Sequence, residues 1–253
     1  MPFVEHQGAK LYWDEEGEGE PLLLIIGLGS SSRLWERVRG ELAEHFRTIA
    51  FDHRGIGRST LGNAKYSMAL MAMDAAAVLD AAEVEEAHVF GTSMGGMVAQ
   101  EFALNFPHRV SSLILGCTMA GGPTAIRAPR PMTEGLTPEQ IGHLLIALSY
   151  HPSTPRKLIE EDLGLIGVPN PAVYQAQLES ILSWECFSRL PQIEVPTLLI
   201  HGDADQRIPF DNSPLIAAQL PNAKVVALPD TGHVFFTEKP AATFEAVLDF
   251  LLK

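Results

Sequence analysis

The residues of this chain that are most suggestive of chemistry are GTSMG, which have the spacing G-x-S-x-G and are centred on Ser93. A strand-like run, residues 88–90, precedes it, and a helix-like run, residues 98–103, follows it. A serine at a tight strand-to-helix turn has its hydroxyl pushed out of the backbone, and the flanking Gly91 and Gly95 leave room for that turn. The pattern therefore predicts a nucleophile elbow with Ser93 as the nucleophile.

A serine hydroxyl needs a base to take its proton, usually a histidine oriented by a carboxylate. In a strand–elbow–helix setting the chain order is serine, acid, histidine. Of the nine histidines, only His233 lies beyond the last candidate acid loop, between the final predicted strand and the final predicted helix. Its rival, His201, ends a predicted strand, where packing is the expected role. We therefore predict His233 as the base.

Two aspartates compete for the role of the acid. Asp203 and Asp205 both follow the predicted strand 197–200, at the carboxyl end where α/β sheets place their sites. Asp203 comes directly after Gly202 and is typical of a turn former, whereas Asp205 lies further into the loop and has more reach. The loop after the strand 113–115 reads GCTM and offers no carboxylate. We predict Asp205.

An oxyanion formed during attack needs two N–H donors. The first is the backbone of Met94, directly after the nucleophile. The second is expected from the loop after the apolar strand 22–26, which reads GLGS from residue 27. The backbone N–H of Leu28 is the best candidate there.

These residues require a scaffold of strands and helices. Short apolar runs alternate with helical stretches, which predicts an α/β fold: a mostly parallel, twisted sheet with helices on both faces. Residues 2–7 and 10–16 predict an opening hairpin, and the spacing of apolar residues over 34–46 predicts one helix. No strand-like run occurs from 121 to 190. We therefore predict an α/β core of residues 1–120 and 191–253, with residues 121–190 inserted as a helical cap.

The charge and composition of the chain limit the kinds of partner and cofactor that it is expected to bind. The formal net charge of −13 disfavours nucleic acid and anionic membrane surfaces. An anionic small substrate is still possible, because a single arginine at the site can outweigh the electrostatic field of distant acidic residues. Two cysteines are too few for a disulfide scaffold, no metal-ligand spacing appears, and no dinucleotide-binding glycine loop is present. We expect a cytoplasmic protein, since no basic, apolar leader is visible, and we expect neither a metal nor another cofactor.

Together these motifs resemble the α/β-hydrolase superfamily over nearly the full chain. Residues 52–59, DHRGIGRS, match the family's D-x-R-G-x-G-x-S turn, and residues 27–29 are similar to its H-G-x-G oxyanion loop. Arg54 and Arg58 of that turn are expected to tie it to its neighbours. Asp74, in the helix that follows, is expected at a solvated position.

Carried over position by position, the resemblance implies Ser93, Asp205 and His233 as the triad, with the backbones of Leu28 and Met94 as donors. One departure concerns the oxyanion loop: where the family has a histidine that supports it, this chain has Ile26.

Within the superfamily, the chain most resembles small capped carboxylesterases and 3-oxoadipate enol-lactonases. The resemblance implies hydrolysis of a small-molecule carboxylic ester or lactone through an acyl-enzyme. Two alternatives stay open. One is a C–C bond hydrolase that cleaves vinylogous diketones with the same triad. The other is a non-catalytic receptor that keeps the fold and buries a small ligand.

Overall fold

A computed structural model describes residues 3–129, 134–135 and 137–252, without the side chains of residues 138–139 and 141–143. Within this part of the chain, eight strands form one sheet in the order β1-β2-β4-β3-β5-β6-β7-β8. The strands are β1 Phe3–His6, β2 Ala9–Glu16, β3 Glu20–Ile25, β4 Phe46–Phe51, β5 Ala87–Thr92, β6 Val110–Gly116, β7 Thr197–Gly202 and β8 Ala223–Leu228. Strand β2 pairs antiparallel with β1 and β4, and the other pairings are parallel.

Helices cover both faces of this sheet. They are α1 Glu36–Ala43, α2 Met68–Ala81, α3 Met94–Asn105, α4 Pro138–Ala147, α5 Arg156–Ile166, α6 Pro171–Ser183, α7 Asn212–Ala217, α8 Phe235–Glu238 and α9 Pro240–Leu251. Successive residues of a strand point to opposite faces, so each central strand contributes side chains to two separate hydrophobic cores. Leu23 of β3 packs into the core with α2 and α3, whereas Leu22 and Leu24 pack into the core with α1 and α9. The predicted α/β fold is confirmed.

One predicted helix is shorter than its apolar spacing indicated. The run 34–46 divides into a 3-10 turn, Ser32–Trp35, the helix α1, and a turn that leads into β4. Phe46 has the spacing of the helix's apolar stripe, but it begins β4 and is buried beside α1. Apolar spacing cannot separate these two roles, because a residue at the entrance to a buried strand packs against the same helix.

The segment between β6 and β7 leaves and re-enters the core at a narrow base. Cys186 N–H donates to Ala120 O at 2.9 Å, and Gly122 N–H donates to Trp184 O at 3.3 Å. The described residues between these points form α4, α5 and α6 and add no strand to the sheet. Residues 130–133 and 136 of the predicted cap lie outside the described part. No helix in the described ranges is long and apolar enough to cross a bilayer.

Candidate active site

Ser93 lies at a sharp turn between β5 and α3. Its φ of 56° and ψ of −122° fall where L-residues are rarely found, a strain typical of functional turns. A Cβ on Gly91 would overlap the carbonyl oxygen of Gly95, and a Cβ on Gly95 would overlap that of Ile25. Both glycines are therefore required by the close approach of β5, α3 and β3. Ser93 N–H donates to Gly116 O of β6 at 2.8 Å, which fixes the turn to the neighbouring strand.

His233 lies in the loop between β8 and α8, and its ring spans the gap from the serine to an aspartate. Its Nε2 is 2.9 Å from Ser93 Oγ, and its Nδ1 is 2.7 Å from Asp205 Oδ2. The backbone N–H of His233 donates to Ser149 O at 2.9 Å, just after α4. The structure thus brings Ser93, His233 and Asp205 into one hydrogen-bonded chain, and a residue of the inserted segment holds the histidine's backbone.

Asp205 receives four hydrogen bonds. Its Oδ1 accepts from the backbone N–H groups of Arg207 and Ile208, at 2.7 and 3.0 Å. Its Oδ2 accepts from His233 and, at 3.2 Å, from Nε2 of His201. Burial raises the pKa of Asp205, but the positive charge that His233 carries when it is protonated and the hydrogen bonds from both histidines outweigh burial and hold that pKa well below its usual range. The carboxylate is therefore ionised at neutral pH.

The competing aspartate has a different setting. Asp203 is exposed, and its backbone N–H donates to Leu228 O of β8 at 3.0 Å. It stands in the turn that follows β7, away from His233. Of the two aspartates in this loop, only Asp205 contacts the histidine.

His201 has a polar setting that its position on a strand did not indicate. Its side chain is fully buried, and Nε2 faces two acceptors, Asp205 Oδ2 and Ile208 O at 2.9 Å. Nε2 therefore carries the proton, and Nδ1 accepts from Ser213 Oγ at 2.7 Å. The packing role expected for His201 is incomplete, since its ring also orients the aspartate. The segment HGDAD, residues 201–205, contains this histidine and both aspartates but gives no sign of that contact.

The loop after β3 lies directly beside the nucleophile. A Cβ on Gly27 would be 3.1 Å from Ser93 Cβ and 3.6 Å from Ser93 Oγ. The backbone N–H groups of Leu28 and Met94 have no hydrogen-bond partner in the described part of the chain. Met94 is the first residue of α3, where N–H groups have no partner within the helix and favour negative charge. Two N–H donors, one in the loop after β3 and one at the start of α3, are thus without a partner among the described residues.

Two side chains that the sequence analysis did not select hold this loop. Gln177 of α6 is buried, and its Oε1 accepts from Gly29 N–H at 2.9 Å. His53 Nε2 donates to Ile26 O at 2.9 Å. Burial lowers the pKa of His53, so its ring is neutral. His53, which stands in the DHRG turn, thus holds the backbone of the loop at Ile26.

The turn at residues 52–59 is fixed by two ion pairs, of which the one between Arg54 and Asp74 is fully buried. Arg58 Nε donates to Asp52 at 2.8 Å. Arg54 donates two hydrogen bonds to Asp74, at 2.7 and 2.6 Å, and both side chains are fully buried. The two arginines tie the turn to its neighbours as expected. The solvated position expected for Asp74 is wrong, because a helical period alone does not reveal that an arginine from a distant loop lies against it.

A cavity of about 500 Å³ opens over Ser93 and His233. Its described lining is mainly apolar, and the inserted segment supplies a large share of it. The lining residues from that segment are Leu145, Ile146, Ser149, Tyr150, Leu163, Ile166, Pro169, Tyr174, Leu178 and Ile181. A small organic molecule with an ester-sized polar group fits such a space, since ligand cavities are mostly apolar with a few polar groups.

Cys117 lies with His201 and Asp205 in a buried group whose donor atoms are all within 4.8 Å of one another. Burial raises the pKa of the Cys117 thiol well above its usual range. Nε2 of His201 already bonds to Asp205 Oδ2, and the same oxygen accepts from Nδ1 of His233. The donor set therefore fits a hydrogen-bond network better than a metal centre.

Comparison with known proteins adds four similarities. Residues 22–246 match the model of the alpha/beta hydrolase family. The chain is 32% identical over 270 residues to a protein named "Putative carbamate hydrolase RutD" from Azorhizobium caulinodans, with 99% of this chain and 98% of that protein covered. A thermophilic esterase from Thermogutta terrifontis is 26% identical, with 100% and 98% of the two chains covered and a TM-score of 0.85. The enol-lactonase from Burkholderia xenovorans LB400, at 22% identity, full coverage of both chains and a TM-score of 0.88, shares the fold.

Proposed function

The chain belongs to the alpha/beta hydrolase family, and from that premise we propose that it hydrolyses a carboxylic ester or lactone through an acyl-enzyme on Ser93. The observation that carries the proposal is the chain of contacts from Ser93 Oγ to His233 Nε2, 2.9 Å, and from His233 Nδ1 to Asp205 Oδ2, 2.7 Å. The first distance lies in the range that proton transfer to a general base requires, and the second is a short hydrogen bond that orients this base.

The tautomer of His233 follows from its partners. Asp205 is ionised and can only accept, so Nδ1 of His233 carries the proton. Nε2 then has a free lone pair directed at Ser93 Oγ. His233 takes the serine proton as Oγ attacks the carbonyl carbon, and the ionised Asp205 stabilises the imidazolium that forms.

The developing oxyanion needs donors that are already in place. The free N–H groups of Leu28 and Met94 supply them in this proposal. When the tetrahedral intermediate collapses, His233 gives its proton to the leaving alcohol oxygen and the acyl group remains on Ser93. Water, activated by the same histidine, then releases the carboxylic acid and restores the serine.

We assign residues 121–190 as a cap that selects the substrate. The support is that α4, α5 and α6 all contribute side chains to the cavity over Ser93. Two contacts join the cap to the reacting groups: Ser149 O with the backbone of His233, and Gln177 with Gly29. Changes in the cap are therefore expected to alter substrate range more than they alter the sheet.

A carbamate is the second candidate substrate. It is favoured by the relative that is 32% identical and is named as a carbamate hydrolase. The same attack by Ser93 on a carbamate leaves a carbamoyl group on the serine, which water releases. Hydrolysis of p-nitrophenyl N-methylcarbamate, compared with p-nitrophenyl butyrate under identical conditions, separates the two substrates.

Turnover of p-nitrophenyl acetate and butyrate tests the proposal. The wild-type protein is expected to hydrolyse both. Ser93→Ala is expected to lose activity, with only the residual of roughly 10³–10⁴-fold over water that binding and the oxyanion donors provide. Ser153→Ala, at an exposed serine of the inserted segment, is the matched control and should keep full activity. A wild-type protein without esterase activity, or a Ser93→Ala variant with full activity, contradicts the proposal.

A further inference from the structure

One cation stands in the wall of the cavity over Ser93. Among the described residues that line it, Arg207 is the one residue with a permanent positive charge, and none is a carboxylate. The rest of the lining is mainly apolar, and the chain as a whole has a formal net charge of −13. A guanidinium in such a setting is costly unless something compensates its charge.

Arg207 lacks the carboxylate partner that most arginines of the described chain have. Nine arginines of the described chain form an ion pair with a carboxylate, the most buried being Arg54 with Asp74. Arg127 also has no ion pair there, but it is exposed and is solvated by water. Arg207 is the one half-buried arginine in the described ranges that has no carboxylate partner.

The main chain of Arg207 is anchored, whereas its guanidinium has no carboxylate partner among the residues that the structure describes. Its backbone N–H donates to Asp205 Oδ1 at 2.7 Å, so its main chain is anchored to the carboxylate that bonds His233. Within the described part of the chain, the one hydrogen bond of the guanidinium runs from Nη1 to Leu145 O of α4, at a long 3.5 Å. The remaining N–H donors of its planar fork have no partner in the described residues. That fork matches the geometry of a carboxylate.

We infer that Arg207 forms an anion-binding subsite and that the natural substrate is an ester or lactone that carries a carboxylate on the same small molecule. The inference rests on the proposed function and adds the substrate class. The carboxylate of the substrate supplies the missing partner of the guanidinium, and the apolar wall holds the chain between it and the scissile carbonyl. The local charge outweighs the repulsion from distant acidic groups, because salt screens charges more than about 8–10 Å apart.

Two p-nitrophenyl esters of equal chain length test this subsite. Mono-p-nitrophenyl glutarate ends in a carboxylate, and p-nitrophenyl valerate ends in a methyl group at the same position. The measured quantity is the ratio of kcat/KM for glutarate to kcat/KM for valerate at pH 7. Arg207→Met is expected to lower this ratio by about 10–100-fold, the effect of losing one charged hydrogen-bonded pair. A fall of less than threefold overturns the inference.

Two further variants control for shape and for net charge. Arg207→Lys keeps the charge without the planar fork, so it should retain a higher ratio than Arg207→Met. If Met, which resembles the apolar stem, retains the ratio as well as Lys does, the side chain only packs and the inference is wrong. Arg156→Met removes an exposed cation of α5, whose side chain is 91% exposed, and should change the ratio by less than twofold.

A binding measurement separates failure of the subsite from failure of the proposed function. Glutarate and neutral glutaramide are titrated into the wild-type protein and into Arg207→Met, with NMR detection, which requires no turnover. We expect glutarate to bind the wild type at least tenfold more tightly than glutaramide, and Arg207→Met to abolish that preference. Equal binding of the two molecules to the wild type overturns the subsite whether or not the esters are hydrolysed. Anion preference without hydrolysis supports the subsite and contradicts the proposed reaction.

Discussion

Replacing Asp205 with asparagine changes one atom that faces two histidine donors. In the wild-type protein, Oδ2 accepts from His233 Nδ1 and from His201 Nε2. The asparagine oxygen can stay with the backbone N–H groups of Arg207 and Ile208, which bond Oδ1 at 2.7 and 3.0 Å. The new NH₂ group then faces the histidines, and a donor meets a donor.

The histidine can relieve this conflict only by moving its proton. If His233 carries the proton on Nε2, its Nδ1 accepts from the asparagine, but Nε2 then cannot take a proton from Ser93. The imidazolium also loses the charge that stabilises it. A loss of about 10⁴-fold in kcat follows, which corresponds to about 5.5 kcal/mol of barrier. The fold is less affected, because both backbone hydrogen bonds remain.

The assay is kcat for p-nitrophenyl butyrate at pH 7, with thermal unfolding measured in parallel. Asp203→Asn is the matched control: its side chain is exposed, and kcat should stay within about tenfold of the wild type. An Asp205→Asn variant that is folded and retains kcat within tenfold refutes the reasoning. Equal losses from both substitutions refute it too, because the structure places only Asp205 against His233.

Three further outcomes are expected. Gly27→Ala should lower kcat about 10–100-fold, because the added Cβ would be 3.1 Å from Ser93 Cβ and would displace the nucleophile. Steady-state kinetics measures the effect, and an unchanged kcat would contradict this prediction. Gly40→Ala, where nothing lies within 4 Å in α1, should raise the free energy of unfolding by about 1 kcal/mol, measured with urea. Neither thiol should react with DTNB in the native protein, because burial raises the pKa of Cys117 well above its usual range and that of Cys186 to about 12. Both thiols should react after unfolding, and rapid reaction of either thiol in the native protein would contradict the burial of that cysteine.

The sequence predicts the parts of this fold whose signals are local. The apolar run of β3 is buried on both faces, so its composition alone identifies a central strand. The signal of the nucleophile elbow is also local, because any such turn brings the backbone close to Gly91 and Gly95 and leaves no room for a Cβ at either position. Phe46 shows the limit of this reasoning: one period suits both a helix stripe and the entrance to a strand.

The parts that the sequence does not predict depend on contacts between distant segments. Gln177 lies 148 residues from Gly29, from whose N–H it accepts a hydrogen bond. Nothing in the sequence around either residue indicates this contact. His53 and Ile26 belong to different strand ends that the parallel pairing of β3 with β4 brings together. Asp74 fits an exposed helical position until the buried guanidinium of Arg54 is known to face it.

Covalent labelling by a fluorophosphonate tests the central claim most directly, since it reports an activated serine without any assumption about the substrate. We expect one adduct per chain, located by peptide mass spectrometry on Ser93, and no adduct on the Ser93→Ala variant. Labelling of Asp205→Asn should be slower by orders of magnitude, because its histidine no longer accepts the serine proton. An intact wild-type protein that forms no adduct, or one that forms its adduct on another serine, contradicts the account.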